Sequence, residues 1–175
     1  ENIGPYRVMQ LLGEGGMGLV YQAEQFAPIR RRVAVKLLKP GMDSHKVLAR
    51  FELERQALAG MEHPCITRIL DAGLADSGRP YFVMELVKGI AITEFCRTHQ
   101  LQPLDCIRLM IHVCSAIQHA HQRGIIHRDI KPSNILVAQS DNGPMPKVID
   151  FGIAKVVNDS MGHGDHFTLH GEMIG

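Results

Sequence analysis

Neither sign of charge is in excess: 19 Lys plus Arg stand against 18 Asp plus Glu, a net charge of +1. That balance removes any electrostatic reason to expect a nucleic acid or an anionic membrane as partner. Phosphate binding, if present, has to be local. No run reaches the roughly 18 uninterrupted apolar residues that a membrane-spanning helix needs. The opening residues, ENIGPYRVMQ, have neither the basic nor the apolar region of a secretory leader. A soluble, cytoplasmic segment without membrane contact of its own is expected. The start without Met and the stop at Met173-Ile174-Gly175 are read as cuts in a longer product, which could carry an anchor elsewhere. Four cysteines, Cys65, Cys96, Cys106 and Cys114, form no CxxC pair. They suit buried free thiols in a reducing compartment better than a disulfide framework. Internal repeats and low-complexity tracts are also missing.

What remains is the composition of an ordinary globular domain, 45% hydrophobic and 21% charged. From Tyr6 to Val87 the chain runs through YRVMQLLG, LVYQAEQ, RRVAVKLL, ITRILDAG and PYFVMELV. These are short alternating runs rich in Val, Ile, Tyr and Leu, separated by Gly, Pro and Asp, and they predict an antiparallel sheet. One helical stripe, Ser44 to Gly60, interrupts them, with Val47, Leu48, Phe51 and Leu58 at helical spacing. After Gly89 the pattern turns helical. A short helix is expected over Thr93 to Thr98. A long one is expected over Leu104 to Arg123, with Ile107, Met110, Ile111, Cys114, Ile117 and His121 on one face. Extended runs follow at IIH, ILVA and KVID, the last two joined by a turn in SDNGPMP. Beyond Gly152 the chain is Gly-, His- and Met-rich and reads as a long loop.

Three stretches carry chemistry. Gly13-Glu14-Gly15-Gly16-Met17-Gly18 contains G-x-G-x-x-G, a spacing that lets backbone N–H groups come close to phosphate oxygens. LVYQAEQ after it reads as a strand rather than a helix, and GK[ST] is absent. Dinucleotide-fold and Walker A readings therefore fail, and a hairpin lid over a nucleotide remains. In Val33-Ala34-Val35-Lys36, alternation sets Ala34 and Lys36 on the face opposite Val33 and Val35. A lysine on an inner face needs an anion, and phosphates under the lid would supply one. Glu54, or less favourably Glu52, is the candidate partner for Lys36. The densest run is His127-Arg128-Asp129-Ile130-Lys131-Pro132-Ser133-Asn134, followed by Asp150-Phe151-Gly152. It offers one carboxylate to orient a hydroxyl, Asp129, and two oxygen ligands for Mg²⁺, Asn134 and Asp150.

GEGGMGLV, VAVK, HRDIKPSN and DFG, in that order, resemble the signature set of the protein kinases. The wording LGEGGMG, IHRDIKPSNILV and DFGIAK is similar to that of bacterial serine/threonine kinases of the eukaryotic-like type. The resemblance implies an α+β, bilobal protein-kinase-like fold. Residues 1–87 would form an antiparallel β-sheet N-lobe with one helix, plus the hinge. Residues 88–175 would form a partial, mainly helical C-lobe ending inside the activation segment. It implies ATP with Mg²⁺, or Mn²⁺ in its place, and Ser/Thr-bearing protein substrates.

The resemblance also implies residue roles. Leu12, Gly13, Glu14, Gly15, Gly16, Met17 and Gly18 cover the nucleotide. Lys36 binds the α- and β-phosphates and pairs with Glu54. Val20, Ala34 and Leu136 sandwich the adenine, Met84 is the gatekeeper, and the backbone from Glu85 to Val87 reads the adenine edge. Asp129 is the catalytic base and Lys131 steadies the γ-phosphate, while Asn134 and Asp150 hold the metal ions. Leu58, Ile69, His127 and Phe151 would stack as a regulatory spine. Arg128, buried beside the base, implies control by phosphorylation of the activation loop, with Ser160, Thr168 or a residue beyond the cut as the acceptor.

The APE motif and the large helices that cover the long helix in the family are absent. Each uncovered Leu, Ile or Met side chain forfeits roughly 1.5–3 kcal/mol, against a domain stability of about 5–15 kcal/mol, so the isolated fragment is expected to be unstable. A pseudokinase scaffold is the first alternative; its usual mark, loss of the lysine or of either aspartate, is missing. A small-molecule phosphotransferase is the second, and the full HRDIKPSN wording and the Gly-rich lid stand against it.

Overall fold

The computed structural model describes residues 2–16, 18–40, 60–140 and 143–150. The expected helix over Ser44 to Gly60, with Glu52, Glu54 and Leu58, lies outside the described residues apart from Gly60. So do Met17, Phe151, Ser160 and Thr168.

Six strands form one antiparallel sheet in the order β1-β2-β3-β4-β6-β5. They are β1 (Asn2–Ile3), β2 (Tyr6–Glu14), β3 (Gly18–Gln25), β4 (Arg31–Leu38), β5 (Ile69–Leu74) and β6 (Pro80–Glu85). β4 is central and has both faces covered, because every residue from Val33 to Leu38 is buried. Val33, Val35 and Leu37 pack with Ile3, Tyr6, Tyr81 and Val83 on one side. Ala34 and Leu38 face Phe82, Met84 and the second half of the chain on the other. The alternation in RRVAVKLL thus serves two cores, and a one-residue slip would exchange them. β5 begins three residues later than the run ITRILDAG suggested. Ile66 instead makes a single parallel bridge to Val148, and this carries the chain from the sheet into the second half.

The second half begins after Glu85. β7 (Gly89–Ala91), β8 (Ile135–Ser140) and β9 (Gly143–Val148) form a small antiparallel sheet. Two helices, α1 (Ile92–Thr98) and α2 (Pro103–His121), accompany it. α1 buries Ile92 and Phe95, and His99 stacks on Phe95 with ring centroids 4.0 Å apart. α2 starts with Pro103 in its first turn, where the missing N–H costs nothing. The turn that follows its last residue, His121, closes at Gly124, which takes a left-handed φ of 72°. That conformation lets the N–H groups of Gly124 and Ile125 reach the carbonyls of His121 and Ala120.

Ile107, Met110 and Ile111 of α2 are 54%, 44% and 61% exposed, in keeping with the expectation that Leu, Ile and Met side chains of this helix are left uncovered. The line that packs inward is Leu109, Val113, Ala116 and Ala120. Both lines have helical spacing, and the one with the smaller side chains lets α2 approach the sheet. Three expectations need correction. Pro144 and Pro146 lie within β9 and not in a turn. In this sheet β9 pairs with β8, and its bridge to Ile66 is confined to Val148 at its end, so the edge of the strand accommodates two residues that cannot donate. Ile125 to His127 form no strand. Of the cysteines, all free, only Cys65 is buried, whereas Cys96 and Cys106 are half-buried and Cys114 is exposed.

Candidate active site

The β2–β3 hairpin forms the roof of a cavity. Glu14 pairs with Leu19 and Gly13 with Val20, and the Gly15 N–H donates to the Gly18 carbonyl at 2.9 Å. The glycines differ in purpose. A Cβ on Gly18 would strike the backbone carbonyl oxygen of Leu37, so β3 could not lie this close to β4 with any side chain there. Gly13, Gly15 and Gly16 have nothing within 4 Å of that position, and their bare backbone faces open space.

Under the roof, Lys36 is 5% exposed. Its Nζ pairs with Asp150 Oδ2 at 2.8 Å. A buried ammonium needs such a partner; Glu54, the partner expected from the sequence, lies outside the described residues. Asp150 follows β9 with a left-handed φ of 63°, a strained conformation for a non-glycine residue. The segment before it is pinned from three sides. The Val148 N–H donates to the Cys65 carbonyl (2.8 Å), the Val148 carbonyl accepts from the Thr67 N–H (3.0 Å), and the Ile149 N–H donates to the Asn134 carbonyl (2.9 Å).

His127 ties this segment to the loop carrying Asp129. It is 1% exposed, with Nε2 2.8 Å from the Ile149 carbonyl and Nδ1 3.3 Å from the Asp129 N–H. Both contacts suit one neutral tautomer, in which Nε2–H donates and Nδ1 accepts. Burial pushes its pKa below the usual histidine value, against smaller opposing effects of the Ile149 carbonyl and of Asp150 and Asp129.

Asp129 itself is held from two sides. Lys131 Nζ donates to its Oδ2 at 2.8 Å. Buried Asn134 donates through Nδ2 to its carbonyl at 2.8 Å and to its Oδ2 at 3.1 Å. The bond from Lys131 is the chief reason why the Asp129 carboxyl lies below the usual range, with Asn134 adding to it against a desolvation effect. The side chain remains 43% exposed, open to an incoming group. Arg128, expected to be buried, is exposed and has a φ of 64°.

These parts line one cavity of about 720 Å³. Its wall includes Leu12, Gly13, Glu14, Gly15, Gly16, Gly18, Val20, Ala34, Lys36, Met84, Glu85, Val87, Asp129, Lys131, Asn134, Leu136 and Asp150. Every described residue proposed from the sequence for the nucleotide, the metal ions or catalysis is therefore on that wall, whereas Ile69 and His127, expected in the spine, are not part of it. Leu86, within the expected Glu85 to Val87 run, lines the cavity as well, and so do Thr67, Arg128, Ser133 and Ile149, which were not proposed for it. Ser133 and Ile149 adjoin proposed ligands in the sequence and could have been added on that ground; Thr67 gave no local signal. The lining combines an apolar set, Val20, Ala34, Met84 and Leu136, with a polar set, Lys36, Asp129, Lys131, Asn134 and Asp150.

Residues 6–169 match the protein kinase domain family. The chain belongs to the protein kinase family. Its curated relatives include the probable serine/threonine-protein kinase PknB of Bifidobacterium longum, 39% identical over 90% of this chain and 24% of its own length. They also include the serine/threonine-protein kinases pkn3 of Myxococcus xanthus, 39% identical over 97% of this chain and 31% of its own length, and PrkC of Bacillus subtilis, 38% identical over 90% and 24%. This kinase chain thus spans about a quarter to a third of the length of these relatives. Among solved structures, the Mycobacterium tuberculosis PknI kinase domain is similar with a TM-score of 0.73 and 30% identity, over 87% of this chain and 62% of that one. The fold is that of an incomplete bilobal kinase, with the six-stranded sheet as N-lobe. Members of this family use ATP and a divalent metal ion. The oxygen donors in the polar lining, the Asn134 amide and the Asp150 carboxylate, fit a hard cation of that kind. Among the described residues no helix is long and apolar enough to cross a membrane.

Proposed function

We propose that this chain is the ATP-binding and catalytic part of a serine/threonine protein kinase that transfers the γ-phosphoryl group of ATP to protein hydroxyls. The observation that carries this reading is the meeting, on one cavity wall, of the Gly-rich hairpin, the Lys36–Asp150 pair and the Asp129–Lys131–Asn134 cluster. In this reading the apolar lining takes the adenine between Val20, Ala34 and Leu136, beside Met84, with the backbone from Glu85 to Val87 along its edge. The open backbone of Gly13, Gly15 and Gly16 lies over the phosphates, and Lys36 binds the α- and β-phosphates.

Asp129 orients the acceptor hydroxyl and receives its proton. Lys131 and Asn134 keep that carboxylate ionised and aimed, and the half-exposed Asp129 side chain leaves room for a protein substrate. Lys131 also neutralises charge on the γ-phosphate. Asn134 and Asp150 would hold Mg²⁺, or Mn²⁺, which when bound neutralises phosphate charge. Residues 1–87 and 88–175 serve as the two lobes; the change from one sheet to the other, between Glu85 and Gly89, supports that division. We place the reaction in the cytoplasm, in keeping with four free thiols, and the near-neutral charge argues against a nucleic-acid partner.

The test is Mg²⁺-dependent ATP binding and autophosphorylation, with Lys36→Ala and Asp129→Asn alongside. The expected result is incorporation that both variants lose while Asp129→Asn still binds nucleotide. Incorporation that persists in Asp129→Asn would remove Asp129 from its role.

A further inference from the structure

Among the described residues, two buried side-chain atoms have no hydrogen-bond partner, and one of them is the Thr67 hydroxyl. Thr67 is 7% exposed. Its backbone is committed, since its N–H donates to the Val148 carbonyl at 3.0 Å, so the residue cannot drift to relieve the hydroxyl. The side chain belongs to the cavity wall, whose lining also includes the apolar Ala34, Met84 and Ile149, and its own backbone bond sets it beside Val148, the residue before Ile149. A buried hydroxyl without a partner carries its full desolvation penalty. Valine would fill the same volume without that penalty, so packing alone does not account for threonine here. Native proteins leave few such atoms unsatisfied, and one beside a binding cavity calls for a ligand or a water as its partner. The hydroxyl and methyl of threonine exchange places by a rotation of about 120° about χ1, between staggered rotamers. The group on the wall can therefore become the donor when a ligand arrives.

We propose that Thr67 is a specificity-determining residue of the base-binding lining, its hydroxyl donating a hydrogen bond to N7 of the bound purine. This rests on the nucleotide reading above. There the backbone from Glu85 to Val87 faces the purine's Watson–Crick edge, leaving the N7 edge for the inner wall. N7 is an acceptor with no hydrogen, so a hydroxyl can serve it while Ala34, Met84 and Ile149 cannot. The bond forms only on binding, so it discriminates between ligands without holding the empty cavity together.

The test compares dissociation constants for Mg²⁺-ATP and Mg²⁺-7-deaza-ATP, in which N7 is replaced by C–H, on the full chain and its Thr67→Val and Thr67→Ser variants. The unsubstituted chain should bind the 7-deaza analogue about 3- to 10-fold more weakly than ATP, the span of one neutral hydrogen bond. That ratio should fall to about one in Thr67→Val and persist in Thr67→Ser. An equal ratio in the unsubstituted chain and Thr67→Val overturns the assignment, as does a ratio of one in the unsubstituted chain, a result that needs no variant to fold. Failure of the unsubstituted chain to bind ATP at all would overturn the nucleotide reading itself, and so is distinguishable.

Discussion

The Lys36–Asp150 pair makes a prediction whose sign follows from burial. Its members lie 2.8 Å apart, but their side chains are unequally buried, 7% exposed for Lys36 and 21% for Asp150. Removing one member of a buried pair costs about 3–5 kcal/mol when the remaining charge stays dry. The cost falls toward about 1 kcal/mol when water can reach it. Asp150→Asn keeps a residue type that tolerates a left-handed φ, yet strands the more deeply buried ammonium. We expect a loss of about 3 kcal/mol, the low end because the amide oxygen still accepts a hydrogen bond. Lys36→Met fills the lysine's space with a flexible apolar chain and leaves a carboxylate that water can solvate, so a loss of about 1 kcal/mol is expected. The double variant should be less destabilised than the sum of the single ones by about 1–2 kcal/mol, as for groups in contact. Urea unfolding of the nucleotide-free protein measures all three. The gap of about 2 kcal/mol between the single variants corresponds to about 4–8 °C in Tm for a chain of this size. If Lys36→Met proves as damaging as Asp150→Asn, or more so, the burial argument is wrong.

Gly18→Ala should destabilise the fold by about 1–3 kcal/mol, because its Cβ meets the Leu37 backbone carbonyl, while Gly16→Ala should stay within about 0.5 kcal/mol; equal thermal shifts would refute the contrast. Lys131→Met removes the main cause of the low Asp129 pKa, so the acid limb of the kcat profile should move to higher pH; an unmoved limb would show that Lys131 does not tune the base. His127 has a folded pKa below its unfolded value of 6.5, so the unfolded chain binds the proton first. Its contribution to stability is complete above about pH 6.5 and is lost as pH falls from there through the lowered folded value, at up to about 1.4 kcal/mol per pH unit. Denaturation midpoints from pH 8 to 5 should show this slope, reduced in His127→Asn.

Much of this protein was legible from local pattern. β4 coincides with RRVAVKLL, and β2, β3 and β6 fall on their alternating runs, because a strand with two distinct faces writes its period into the residues themselves. Candidate ligands on a glycine hairpin, a strand lysine and two short loops could be picked out because their chemistry depends on fixed residue types at short spacing. Where such short-range information ended, only the tertiary structure decided. Two helical lines of α2 are apolar, and periodicity cannot say which one packs; contact with the β8–β9 sheet selects Leu109, Val113, Ala116 and Ala120. The prolines of β9 are admitted to a strand because it lies at a sheet edge. Lys36 meets Asp150, 114 positions away, through the descent of the chain from the central sheet into the small one. Thr67 reaches the cavity wall by the same crossing. The sequence by itself determined which groups can hold charge, bend or alternate; which of them meet depended on long-range pairing of segments whose local signals are independent of one another.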